Sequence, residues 1–460
     1  MASDQRKLEE VRIPMPETEQ GDFVREQMMK LKSALLELQN RERVVSQITK
    51  PLIQRVTPRL VGVIKENFKK YFEPRMAAFG PLNHGNPKFD RGERTKLLLA
   101  AHFVKKNETT EDALFHKIKE EIEDLRKYYN QEDIKDYDND KLAWMFFVDD
   151  CAVLYIAYYF LIGKYEKSFT SDILDLMAFG KLDLFLLENQ LPYRVLKILI
   201  GSSLSPQLWE LSIKEFVNDN LMTNIPSETV SQWLDKQEAK RQDYAHLLDR
   251  LRTKLLSGII EQKSSGVIGR FLLWCGNEAK NRRLFLSIKD LKESGIQVSP
   301  NMTCNLRNIS FHSNILGSLK MPGLVLNEST ASMFMNLVAL EKCPDFGNDY
   351  AVTSYLCFIS SLIQTTEDVK ELQVTGILHN YLGSDEEVVD FFRGMSRNLV
   401  PNIFLYYDVK DDIQRYCNSW LIRISSNYFS RNWSFLGFSG VIAGLVLTLV
   451  QTYFTINPRK

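Results

Sequence analysis

A run of 24 residues without a charge, Trp433 to Ile456 (WSFLGFSGVIAGLVLTLVQTYFTI), constrains this chain more than any other feature. As a helix it would extend about 36 Å, against a bilayer hydrocarbon core of about 30 Å. Trp433 and Tyr453 stand near its ends, where amphipathic rings favour a bilayer interface, and Arg459 and Lys460 follow. Its polar residues are serines, threonines and one glutamine, groups that a helix in lipid can satisfy internally or against a neighbour. Two readings are open: a transmembrane helix over 433–456, or the buried last helix of a soluble domain. The length without a charge favours the first. Gly440 and Gly444 form a GxxxG pair that Thr448 continues one turn on, a candidate face for transmembrane packing and a homodimer.

Composition narrows the classes. With 58 basic and 58 acidic residues the chain has no net charge, which argues against a nucleic-acid partner. The first twenty residues hold no apolar core of a signal peptide, so the expectation is a cytosolic bulk with a single-pass C-terminal anchor. Six cysteines (Cys151, Cys275, Cys304, Cys343, Cys357, Cys417) are scattered without CxxC pairs and read as reduced thiols. Five N-x-S/T triplets begin at Asn107, Asn301, Asn308, Asn327 and Asn432, and the first four are expected to stay unglycosylated.

The domain pattern is mainly α. Residues 1–50 hold an amphipathic helix, Asp22 to Gln47, whose seam is Val24, Met28, Leu31, Leu35, Leu38 and Val45, with Glu42 in the remaining seam position. It either docks on the chain's own core or pairs with a partner helix. A helical half spans 51–225, a polar junction 226–266, and a second half 267–431, followed by the membrane helix over 433–456. In the first half, Lys105–Lys141 reads as a solvated helix surface with i,i+4 pairs Lys117–Glu121 and Glu123–Lys127. Leu142–Gly163 reads as a core helix, because Asp149 and Asp150 interrupt its apolar run. Ser171–Ile200 reads as a helical region broken at Pro192. Between Asn305 and Val325 a change of pattern suggests a few short strands or extended turns. Ser384 with Glu387 predicts a capping box.

Catalytic and nucleotide-binding signatures are absent: there is no Walker sequence, no strand-linked GxGxxG, no HExxH and no GxSxG. No cofactor and no metal site is expected, since no histidine falls at a zinc-ligand spacing. The adjacent pair Asp149–Asp150 points about 100° apart on a helix, which favours solvent-facing or helix-polar roles over acid–base work. The segment Leu187-Glu188-Asn189-Gln190-Leu191-Pro192 places three polar residues between leucines beside a proline. It reads as a structural corner, with Asn189 or Gln190 meeting backbone groups and Glu188 as a buried acceptor.

LENQLP and its neighbours resemble the plant family known as domain of unknown function 247. The resemblance is collinear through Arg55-Val-Thr-Pro58, Tyr71, Pro74, Gly80-Pro-Leu-Asn-His-Gly85, Val148-Asp-Asp-Cys151 and Asp183 to Pro192. It continues through Leu291, Gly295, Phe311, Leu319-Lys-Met-Pro322, Asn336 to Glu341, Val352-Thr-Ser-Tyr355, Asp368-Val369, Gly383-Ser-Asp-Glu386 and Gln451-Thr452. The family usually carries GPYHHG and DGCF where this chain has GPLNHG and DDCA. What the resemblance implies is a largely helical cytosolic part with one C-terminal membrane helix, without an established enzymatic activity. Some grass members are implicated in self-incompatibility.

The expectation is therefore a non-enzymatic, tail-anchored membrane protein acting through an unidentified protein partner, in plant signalling or self-incompatibility recognition. The rival is an enzyme with a pocket near His84 and Glu188. Convergence of His84, Asp149, Asp150 and Glu188 in one cleft would separate the two.

Overall fold

The computed structural model describes residues 26–37, 52–63, 68–163, 169–222, 243–257, 287–301, 303–313, 316–343, 349–396, 399–418 and 435–456. The chain divides into two units, Met1–Pro51 and Leu52–Lys460. In the first, residues 26–37 form a helix on which Met28, Leu31 and Leu35 are exposed. The remaining seam residues (Val24, Leu38, Glu42 and Val45) lie outside the described residues.

The second unit is mainly α, built around helix Asn139–Ile162. Its start is fixed by the Asp138 side chain, which accepts from the Lys141 N–H at 2.8 Å, and its end by Gly163 in the left-handed conformation. It is long and apolar enough to cross a membrane, but 78% of its most apolar window is buried. A helix apolar all round belongs in a core, and helices Asp90–Lys106, Glu111–Glu120, Tyr193–Gly201 and Pro206–Asp219 surround it.

Residues 287–418 add strands between helices. Strand β1 (Ile296–Asn301) runs parallel to β3 (Gly317–Pro322), with Val298 opposite Leu319, and β2 (Ser310–Ser313) runs antiparallel on the other side of β3. Strand β4 (Leu324–Leu326) pairs in parallel with β5 (Leu378–Asn380). Helix Glu328–Glu341 is buried from Thr330 to its end and packs on both Phe68–Phe72 and Ala351–Leu362. It thereby joins the two halves of the unit. Helix Asp385–Ser396 begins with the Ser384 hydroxyl accepting from the Glu387 N–H at 3.2 Å.

Four expectations need correction. Asp149 and Asp150 are not solvent-facing; both are buried, because the surrounding helices cover the middle of their own helix. Within the junction 226–266, helix Leu247–Leu255 is buried along its length. Its polar composition misleads because its charges are internally partnered, as Arg252 is with Glu341. The stretch 105–141 is not one solvated helix, since Glu121 is a cap between two short helices. Lys117 therefore reaches Ser202, and Glu123 accepts from Asn139, in place of the i,i+4 pairs. Finally, helix Ser171–Phe179 stops well before Pro192, and two 3-10 turns, Gly180–Phe185 and Leu187–Asn189, follow it.

Candidate functional site

The densest polar construction in the described structure is the Asp183–Pro192 corner. Its short turns leave backbone groups unpaired, and side chains meet them. Asn189 accepts from the Phe79 N–H at 2.9 Å and donates to the carbonyls of Ala77 (3.1 Å) and Asp183 (3.0 Å). Gln190 donates to the Leu184 and Leu186 carbonyls at 2.8 and 2.7 Å and accepts from the Leu248 N–H at 2.9 Å. The Asp183 carboxylate receives three backbone donors, from Arg75, Met76 and Ala77. Burial pushes its pKa above the usual aspartate value, and those three donors pull it back down. Glu188 accepts from the Val56 N–H at 2.8 Å and pairs with Arg55 at 3.3 Å. Pro192 is the N-cap of helix Tyr193–Gly201.

Facing this corner, Gly80 donates its N–H to Asp149 at 2.8 Å with φ of 69°. A Cβ there would meet the Gln190 carbonyl at 2.9 Å and the Tyr129 hydroxyl at 3.2 Å, so glycine is required twice over. Asp149 also binds Lys96, whose Nζ lies 2.5 Å from its carboxylate, 2.8 Å from Glu93 and 2.6 Å from the Ala78 carbonyl. Burial works against the Lys96 charge, but Asp149 and Glu93 outweigh it and hold its pKa above the usual lysine value. Burial raises the Glu93 pKa. Asp150, one residue on, has neither oxygen hydrogen-bonded. Burial, then the charge of Asp149, pushes its pKa well up and favours the neutral acid.

A third network lies at the junction of the halves. Glu341 accepts from Arg252 (2.8 Å), the N–H groups of Val352 and Thr353, and the Thr353 hydroxyl. Asp349 then bridges Arg252 to Arg307. His246 caps helix Leu247–Leu255 by accepting from the Asp249 N–H at 3.1 Å, and burial lowers its pKa to about 4. That cap requires a neutral ring nitrogen.

The candidate catalytic groups are not collected in one cleft. His84 is half exposed, 3.9 Å from Glu93 and edge-on to Tyr137. It is near Glu188 only through its neighbour, since Asn83 donates to the Glu188 carbonyl at 2.9 Å. A cleft of about 610 Å³ is lined instead by residues that include Tyr128, Arg194, Lys197 and Tyr244. None of His84, Asp149, Asp150 or Glu188 lines it. Arg194 pairs with Glu121 there, and Lys197 with Asp243. Among the described residues no group of three or more metal-ligating side chains converges.

Gly440, Gly444 and Thr448 lie on helix Phe435–Ile456, and no other group comes within 4 Å of a Cβ built on either glycine. Thr448 donates to the Gly444 carbonyl at 2.8 Å.

Sequence reasoning missed Lys96, Asn336 and Glu341 as polar centres. Asn336 accepts from the Leu187 N–H at 2.8 Å and donates to the Tyr71 carbonyl at 2.8 Å. For Asn336 the signal was available, since it is a lone polar residue in an apolar helical stretch; Lys96 follows Glu93-Arg94-Thr95 and Glu341 precedes Lys342, so neither stands out.

Many of these centres (Arg55, Tyr71, Gly80, Asp149, Asp183, Glu188 to Gln190, Asn336, Glu341) carry the resemblance noted above. The pattern of that family, described as a plant protein of unknown function, matches residues 53–447. The chain belongs to the plant family of domain of unknown function 247. A relative in Arabidopsis thaliana named UPF0481 protein At3g47200 is 26% identical over 423 residues, covering 85% of each chain. A second, putative UPF0481 protein At3g02645 from the same plant, is 29% identical over 172 residues, covering 36% of this chain and 32% of its own. No solved structure matches.

Proposed function

We propose that this member of the family is a non-enzymatic interaction protein, anchored to a membrane by helix Phe435–Ile456, whose helical part binds another protein. The observation that carries the reading is the state of that helix. Its 22 residues include no charge, and Val441, Leu445, Leu447 and Leu449 are each more than half exposed. At about 33 Å it matches a bilayer core, which would cover that surface. The non-enzymatic part rests on how the polar groups are spent. Asp183, Glu188, Asn189 and Gln190 each hold backbone of a distant segment. Recognition at a plant membrane, of the kind self-incompatibility requires, is the role the family resemblance suggests.

The test is fractionation. The full-length chain should sediment with membranes and resist carbonate extraction, whereas a chain ending at Arg431 should be soluble and folded, losing only the helical signal of Phe435–Ile456. A full-length chain found in the soluble fraction would remove the anchor from the proposal. Capture of a specific protein by the membrane-bound form, lost with the helical part deleted, would support the interaction role.

A further inference from the structure

We propose that the turn 400–403 is a second contact between the helical part and the bilayer. With Tyr350 beside it and Lys342 and Lys410 at its flank, it enters the headgroup layer of a membrane that carries anionic lipid. The proposal rests on the anchored reading, which supplies the bilayer. Val400 is 71% exposed, Ile403 47% and Tyr350 40%. Single apolar side chains at a surface are ordinary, but these three are presented together by one asparagine. Asn402 donates its N–H to the Ser354 hydroxyl at 2.9 Å and its amide to the Asp349 carbonyl at 3.2 Å. Its Oδ1 accepts from the Phe404 N–H at 3.1 Å. Tyr350 lies between those two attachment points in sequence, in the left-handed conformation with φ of 55°. A tyrosine is strained there, so the surrounding structure, not local preference, fixes where its ring sits.

Charge and chain path both name a lipid surface as the occupant. Cys357 stands one turn beyond Ser354 on the same face of helix Ala351–Leu362. Burial pushes its thiol up to about 11, against the charges of Lys410 and Lys342 beside it. Lys410 is exposed, its Nζ 5.6 Å from the centroid of the Phe358 ring. Asp349 is taken up by Arg252 and Arg307, Asp411 and Asp412 by Arg415, and Asp408 is half-buried. An apolar tip with lysines beside it matches the interface of an anionic leaflet, where a tyrosine ring also sits favourably. Helix Tyr407–Asn418 follows the turn, and residues 419–434, at most about 55 Å long, lead from it to Phe435–Ile456. An anchored chain therefore keeps the tip at high effective concentration beside the bilayer, so that even a weak insertion is populated. The second contact holds the helical part in one orientation instead of leaving it to swing on its tether.

The test reconstitutes the full-length chain, with an environment-sensitive fluorescent amino acid in place of Val400, in vesicles of phosphatidylcholine with or without phosphatidylserine. With phosphatidylserine present, the emission should shift to the blue and be quenched by lipids brominated near the headgroup. In phosphatidylcholine alone both effects should be weaker. Ile403→Asp, at an exposed position, should return the emission to that of a label in water while the chain still floats with the vesicles. Lys342→Gln should narrow the difference between the two vesicle types. A chain that floats with its label unquenched would overturn the inference, keep the anchor, and leave the tip to a protein partner. Quenching untouched by Ile403→Asp would overturn it too, and equal quenching in both vesicle types would strike the lysines from it. A chain that fails to float would overturn the anchor and this contact together.

Discussion

Asp150 is an acid that burial shifts toward its neutral form. Its pKa is raised in the folded chain, so the folded state keeps its proton to a higher pH than the unfolded state does. Its favourable contribution is therefore complete below the ordinary aspartate pKa of about 3.9 and is lost as pH rises from there. Asp150→Ala removes that loss along with an unpartnered carboxyl. In denaturant melts the variant should gain on the native chain from pH 4 to pH 7, reaching about 1–3 kcal/mol. A constant difference across that range would mean Asp150 has a partner. Asn189 presents the opposite case, a buried amide whose bonds to Phe79, Ala77 and Asp183 are all directed at backbone. Asn189→Leu should cost about 1–3 kcal/mol by orphaning the Phe79 N–H and two carbonyls, while chains that still fold keep their partner. Unchanged stability with lost binding would make the corner a recognition surface. The corner was legible in sequence because polar residues between leucines must find partners. Which partners was not legible, since two of those of Asn189, Phe79 and Ala77, lie 110 and 112 residues away.

At the scale of elements, patterning identified the helices by their apolar spacing and the strand region by its glycines and prolines. It misjudged elements whose burial runs against composition, such as Leu247–Leu255, where Arg252 is buried with a carboxylate. It also missed β1 and β5, short strands whose pairing with β3 and β4 is set by tertiary contacts. Helix Phe435–Ile456 offers a sharper test of element behaviour. Its threonines donate to carbonyls four residues back, at 2.8 Å from Thr448 and 2.7 Å from Thr455, so they spend no bonds outward. Close backbone approach at Gly440 and Gly444 is therefore the feature that a self-association assay tests. In a membrane-dimerisation reporter the native segment should signal, and Gly440→Leu with Gly444→Leu should fall to background. Equal signals would exclude this face and leave the helix over residues 26–37 as the candidate.

For the whole molecule, the two halves read from sequence as 51–225 and 267–431 belong to one unit. Asn336 bonds to Leu187 and Tyr71 across the line between them, and Glu341 ties the second half to Arg252 of the junction. A fragment of residues 52–225 should therefore lack a cooperative melt, whereas a chain ending at Arg431 should unfold in one transition by both circular dichroism and tyrosine fluorescence. Two separated transitions would show that the halves are independent. The same asparagine also sets a schedule. The Leu187 N–H waits for a side chain 149 residues further on, and a ribosome adding about 5–20 residues per second takes about 7–30 s to supply it. For that interval the corner has its upstream partners at Val56 and Arg75–Phe79 but not helix Glu328–Glu341, so the nascent first half is a natural client for a chaperone that shields exposed leucines.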